Sequence, residues 1–456
     1  MELNARNFAN YGLESSFDDL SETEVERTKQ FILDTIGCAL RAYSSQPSEI
    51  LRGLYGSDAG TRSDATIFGE GGRTDIESAV LINATMGRYL DFSDTYTGSY
   101  GGSHPSDHVP ALISIAEMEG ASGEDLIDAI NVAYDIQCTG VESGEVYRTG
   151  FDYQSVWGTY SSTVAIGKLL GLNEEELANA IRISGTASNP LIVSRRGDVT
   201  MWKGVAMPFV IQKSLQACKM AEKGMVGPRD LFAGQGGFFE AISDGEFTLP
   251  LGEGGHRVMD VHLKVDNGCY QGLSAVAAVL DICENHEFDH SDVQAINVLT
   301  TEFTIHTIAT PKKWETDLSA ETADHSLPYM IAAALYDEEL TPRQYEPDRL
   351  NNEEIHHLMS LVDVESDEDL EDAKEANPGM IPTIVEIRTA EETYSVRVDY
   401  PPGNANTTVT QSQFTSKFRR LVEDSLDEET VDTLIDNVMA IDQADSMDPI
   451  VDNVVF

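Results

Sequence analysis

VEIRTAEETYSVRVDY, residues 385–400, decides how this chain is divided. Val385 and Ile387, then Tyr394, Val396, Val398 and Tyr400, recur at every second position around a polar turn at Glu391 and Glu392. That period predicts two strands joined as a hairpin. A second alternating run, Ala295 to Phe303, carries Ile296, Val298 and Thr300. Between these runs, Ser274 to Ile282 and Leu327 to Leu335 read as buried helices, so residues 263–399 form an α+β unit.

Outside that unit the period is helical. Ser21 and Glu24 have capping-box spacing ahead of Val25, Phe31, Ile32, Ile36 and Ala39. Pro110 opens a helix through Ile115 and Met118, Asn173 with Glu176 caps another over Leu177 to Ile183, and Pro208 lies in the opening of one running toward Met220. After Pro401 and Pro402, helical spacing returns with Phe414, Phe418, Leu421 and Val422, then Val431, Leu434, Ile435 and Val438. The predicted fold is mainly α: a large helical domain at 1–262, an inserted smaller α+β domain at 263–399, and C-terminal helices at 400–456 that return to the helical domain.

At 456 residues and 41% apolar side chains, the chain is long enough for a large core. Its 78 acidic residues against 30 basic ones give a net charge of −48. This excludes nucleic-acid sheathing, which needs clustered Lys and Arg. Self-repulsion of that size destabilises a compact state in dilute buffer, and molar salt screens it over about 3 Å. The charge therefore predicts a salt-loaded cytoplasm, as in an extreme halophile, with a merely acidic mesophilic protein as the alternative. Cys38, Cys138, Cys218, Cys269 and Cys283 form no C-x-x-C pair, so neither a disulfide framework nor a cysteine cluster is expected. Neither a secretory leader nor an apolar run of membrane-spanning length is seen, which predicts a soluble cytoplasmic protein.

The stretch densest in chemistry is NATMGRYLDFSDTYTGSYGGSHPSDH, residues 83–108. Arg88, Asp91 and Thr95 are spaced to share one helix face, presenting a cation, a carboxylate and a hydroxyl together. Gly101 and Gly102 break the helix and put His104 on a loop, ahead of a helix starting near Val109. Lys203 in MWKGVAM and Lys264 in HLKVDNG sit among apolar and small residues, where a lysine either snorkels to solvent or binds an anion. Arg195 and Arg196 make a third basic point. Tyr329, in ADHSLPYM beside Asp324 and His325, reads either as a proton donor or as a buried structural tyrosine. His286 and His290 have the spacing of a helical metal pair, but HEFDH lacks the H-E-x-x-H order, and no metal is expected. Without a Walker loop or a G-x-G-x-x-G after a strand, no nucleotide cofactor is expected either.

LDTIGCAL at 33–40, LDFSDTY, GSHPSDH, MWKG, GMVGPRDLFAGQGGFF, ADHSLPYM and VDYPPGNAN occur in that order, and together they resemble the MmgE/PrpD family. That family includes 2-methylcitrate dehydratase and cis-aconitate decarboxylase. The resemblance implies a helical domain with an inserted α+β lid, a metal-independent active site with no cofactor, and a homodimer. It places the family's acidic residue on Asp91, its histidine on His104 and its tyrosine on Tyr329, expected to be catalytic, and its threonine and lysines on Thr95, Lys203 and Lys264, expected to bind substrate; Arg88, from its cationic charge, is expected to join the binding groups. The N-A-x-x-x-R lead-in to Arg88 and the pair Asp324–His325 look more like the dehydratase branch. Asp152 and Tyr153, where decarboxylases carry a histidine after G-F, and Cys269, where a histidine often follows the second lysine, depart from the pattern. The expected function is loss of water from a small tricarboxylate, 2-methylcitrate in propionate catabolism. Decarboxylation or isomerisation of an aconitate-like acid, or a silent binding protein on the same framework, are the alternatives.

Overall fold

The computed structural model describes residues 1–56, 63–144, 146, 150–197, 199–243 and 245–456. The fold is mainly α and forms two compact units. One comprises Met1–Gly197, Met201–Val261 and Thr410–Phe456; the other comprises His262–Val409 with Val199 and Thr200.

In the first unit the helices start where the sequence supplies caps. Ser21 accepts from the Glu24 N–H while the Glu24 carboxylate accepts from the Ser21 N–H, which opens Glu22–Arg41 and satisfies two orphan amides at once. Asn173 and Glu176 do the same for Glu174–Ala187. Val109–Glu119 carries Pro110 in its first turn and ends at Gly120, whose left-handed φ of 65° closes it. The Gln411–Val422 helix lies against Glu22–Arg41. Phe414 meets Phe31 edge-on at 5.4 Å, and Gly37 admits Phe418 where a Cβ would come within 2.9 Å of its ring.

Two local expectations change. The helix expected to open at Pro208 is Trp202–Glu222, with Pro208 in its interior. A proline there removes one backbone hydrogen bond, and the buried apolar positions Val205, Met207, Val210 and Ile211 on either side keep the helix continuous through it. The helical face expected to join Arg88, Asp91 and Thr95 is also interrupted. Ile76–Tyr89 ends before Asp91, whose φ of 50° is left-handed and turns the chain away. Aspartate tolerates that conformation better than most residues, though at some strain.

In the second unit, four strands run in the order Val362–Ser366, Val293–Thr300, Thr383–Thr389, Thr393–Val398. The first two are parallel and the others antiparallel, with Ile296 beside both Val362 and Ile387, and Val385 beside Val298 and Val396. Leu273–Asn285 and Leu327–Asp337 bury Val276, Val279, Met330 and Ala334 in the core that also holds Ile296, Val298, Val385 and Ile387. The turn after Tyr400, expected to lie with the closing helices, is held in this unit instead. Leu263 N–H donates to Gly403 O at 2.9 Å, Ala405 N–H to His262 Nδ1 at 2.9 Å, and Asn404 Nδ2 to the Tyr270 hydroxyl at 2.8 Å. Among the described residues, no helix is long and apolar enough to cross a membrane.

Candidate active site

The positive φ of Asp91 places its carboxylate back toward the end of its own helix and toward the first turn of Trp202–Glu222. Arg88 Nη1 donates to Asp91 Oδ1 at 2.8 Å, and Lys203 Nζ donates to Asp91 Oδ2 at 2.8 Å. All three side chains are buried, so the pairing operates where charge is weakly screened. On its other side Arg88 Nε stands 3.5 Å from Asp107 Oδ1, and Gln154 Nε2 donates to Asp107 Oδ2 at 2.6 Å. Burial pushes the Asp107 carboxyl up to about 7, with Arg88 pulling against it.

A short hairpin, Tyr96–Gly98 paired with Gly101–Ser103, brings the chain back so that His104 faces Asp91. Gly101 is required at its tip twice over. Its φ is 145°, and a Cβ would lie 2.5 Å from the ring of Tyr153. Thr95 Oγ1 donates to Ser103 O at 3.4 Å, which ties the hairpin base next to the histidine. His104 Nδ1 lies 2.7 Å from Asp94 O; a carbonyl only accepts, so Nδ1 carries the proton. Nε2, 3.5 Å from Asp91 Oδ1, is then the atom at which this imidazole gains or loses a proton.

The turn beneath is fixed by groups outside the expected set. The Asp94 carboxylate accepts from the Ser106 hydroxyl at 2.6 Å, the Ser106 N–H at 3.2 Å and the Tyr134 hydroxyl at 2.8 Å, while burial raises it to about 6. His108 donates through Nδ1 to Pro105 O at 2.8 Å and accepts at Nε2 from Ser161 at 2.9 Å. Burial lowers it to about 4, so it stays neutral and structural. From the Gln411–Val422 helix, Lys417 reaches Asp34 at 2.7 Å, donates to Phe92 O, and lies 4.0 Å over the Phe92 ring. The residue after Asp91 is thereby clamped by a buried ion pair.

A small cavity of about 10 Å³, room for about one water molecule, lies beside this cluster, lined by Arg88, Asp152, Gln154, Ser155, Arg195, Lys203, Ala206 and Met207. Three cations, Arg88, Arg195 and Lys203, converge on it, a gathering that favours carboxylate groups. Asp152 caps Tyr153–Leu169, accepting from Ser155 Oγ at 2.6 Å, and Arg195 Nη1 approaches it at 3.5 Å.

Arg88, His104 and Lys203 thus all meet Asp91 in the first unit, with Thr95 four residues further along the chain. Lys264 and Tyr329 belong to the second unit. Lys264 is buried in the irregular stretch after His262. The Tyr329 hydroxyl donates to Gln344 O within its own core and burial raises its phenol, which fits the structural reading of that residue rather than a mobile proton. His325 bonds its neighbour Asp324. His286 and His290 do not share a helix: Leu273–Asn285 stops before them, His286 stacks on Tyr394 at 4.4 Å, and His290 bonds Glu354 at 3.1 Å.

Asp107, Gln154 and Lys417 were not legible as site residues. Asp107 and His104 share one short motif, and that clustering was the available signal; Lys417 lies 325 residues from Phe92 and leaves no local signature. Residues 6–250 match the MmgE/PrpD N-terminal domain and residues 267–442 the MmgE/PrpD C-terminal domain. The chain is 24% identical to 2-methylcitrate dehydratase of Salmonella typhi over 86% of its own length and 84% of that protein. It is 27% identical to a fungal alkylcitrate dehydratase over 87% and 83%, and 23% identical to cis-aconitate decarboxylase of Mus musculus over 91% and 86%. With both halves matched in order, this chain belongs to the MmgE/PrpD family.

Proposed function

We propose that this protein is a hydro-lyase that removes water from an alkylcitrate-type tricarboxylate, with 2-methylcitrate as the preferred candidate and propionate catabolism as its setting. The observation that carries the reading is the buried Asp91 carboxylate held between Arg88 and Lys203, with His104 Nε2 facing it at 3.5 Å. The dehydratase names of relatives along most of the chain support the same class.

Dehydration breaks a C–H bond α to one carboxylate and the C–O bond on the neighbouring carbon; a C=C bond forms and the elements of water leave. The difficulty is charge, because removing the α-proton loads a group that is already anionic. Cations fixed in a weakly screened site lower that barrier without reorganising. Lys203 and Arg88 are placed for this, and Asp91 keeps both of them in position. His104 takes the proton at Nε2, since Nδ1 is committed to Asp94 O, and the imidazolium so formed returns that proton to the departing hydroxide, which leaves as water.

The test is incubation in molar KCl with 2-methylcitrate, citrate and cis-aconitate separately, following absorbance of the conjugated alkene, product mass and CO₂. The expected outcome is alkene without CO₂ from the alkylcitrate. His104→Ala is expected to lose about 10²- to 10⁴-fold in rate while remaining folded. Near-normal turnover in that variant removes His104 from the chemistry. Release of CO₂ from cis-aconitate favours the decarboxylase reading, which the Asp152 carboxylate, already bonded to Ser155, does not support. Ligand-induced stabilisation without any turnover favours a silent binding protein.

A further inference from the structure

We propose that Arg195 is a substrate-binding residue that grips one carboxylate of the tricarboxylate and so selects three-carboxylate over two-carboxylate acids. The proposal rests on the functional reading above and assigns a residue that reading does not use.

Arg195 is held firmly in place. Asp152 N–H donates to Pro190 O at 2.8 Å and Ile192 N–H to Gly150 O at 3.0 Å, so the strand-like stretch before the turn Ile192–Arg195 is laced to the start of the Tyr153–Leu169 helix. The guanidinium carbon then lies 5.8 Å from the centre of the Tyr153 ring, which Gly101 leaves room for. A cation at that distance from an aromatic ring gains a modest attraction.

The pairing with Asp152 does not use up this arginine. Asp152 has its own partners in the Ser155 hydroxyl at 2.6 Å and the Gln154 N–H at 3.3 Å, as a helix cap requires. Arg195 meets it only at 3.5 Å through one nitrogen. A guanidinium carries five donors, and Arg195 lines the same cavity as Arg88 and Lys203. Burial works against its charge, but Asp152 and the neighbouring acids outweigh that cost, so Arg195 stays cationic in the cavity wall.

Arg88 and Lys203 both face Asp91, so each already has a carboxylate partner. Arg195 adds a third cation to that wall, and its planar fork matches a carboxylate in bidentate geometry.

The experiment is calorimetric titration of the full chain with tricarballylate, a tricarboxylate lacking the hydroxyl to be eliminated, and with glutarate, at a salt concentration where circular dichroism shows wild type and variants folded. Arg195→Gln is expected to weaken tricarballylate by about 10- to 100-fold and glutarate by much less. Arg195→Lys, which keeps the charge but not the fork, is expected to fall between. Tricarballylate affinity equal in wild type and Arg195→Gln, or equal weakening of both acids, overturns the assignment. Failure of wild type to bind tricarballylate at all overturns the functional reading itself.

Discussion

Two acidic regions of this chain obey different physics. Around the candidate site, Asp34, Asp91 and Asp107 are buried and each meets a named cation: Lys417 at 2.7 Å, Lys203 at 2.8 Å, and Arg88 at 3.5 Å. In the stretch from Asp363 to Glu375, the acids of the strand Val362–Ser366 and the helix Glu368–Ala376 mostly stand in solvent. Buried charges are costly to isolate and indifferent to salt, whereas exposed ones are individually cheap and act together through a field that salt screens. The same residue type therefore pairs with buried cations in one place and stands in a salt-screened field in the other.

Removing one buried partner is the severest way to break that contrast. Lys417→Met leaves Asp34 without its cation and should cost roughly 3–5 kcal/mol in denaturant unfolding, nearly unchanged between low and molar KCl. Adding Asp34→Asn should recover most of the loss. A loss that molar salt repairs would place this pair with the surface charges.

Asp107 gives a smaller effect with a defined pH sign. Its carboxyl is raised in the fold from an ordinary value near 3.8 to about 7, so the folded state binds a proton that the unfolded state releases. That contribution is fully present below about pH 4 and is lost as pH rises through about 7. Asp107→Asn cannot ionise, so its stability should fall less than wild type between pH 5 and 7, by on the order of 1–2 kcal/mol. Identical slopes in chemical denaturation series would show that Asp107 does not hold the proton.

The mildest change sharpens the other side of the comparison. Asp372→Asn with Glu375→Gln removes two exposed acids from the C-terminal half of the Glu368–Ala376 helix, where they oppose its dipole. The variant should gain about 0.5 kcal/mol in dilute buffer and nothing measurable in molar KCl. A gain that persists at high salt would mean the effect is local rather than part of the field.

These regions also explain what could be read before the fold was known. The hairpin at Thr383–Thr389 and Thr393–Val398 and the caps at Ser21 and Asn173 were legible because they rest on neighbours in sequence. The strand Val362–Ser366 was not, since VDVES alternates only weakly and its acids are poor strand formers; pairing with Val293–Thr300 makes it a strand. Arg88, Asp91, His104 and Lys203 were legible as candidates that the fold brings to Asp91, but the left-handed turn at Asp91 was not. Spacing assumes that a helix continues, and this one ends because tertiary contacts favour another conformation.

Lys417 has a consequence for biosynthesis. Asp34 and Phe92 leave the ribosome early, but the ammonium that neutralises one and holds the other is translated only after the whole of His262–Val409. A nascent chain paused anywhere before that point lacks the Lys417 side of the Asp34 ion pair. The native contacts of the turn at Asp91 and Phe92 must therefore be completed after elongation has passed the insertion.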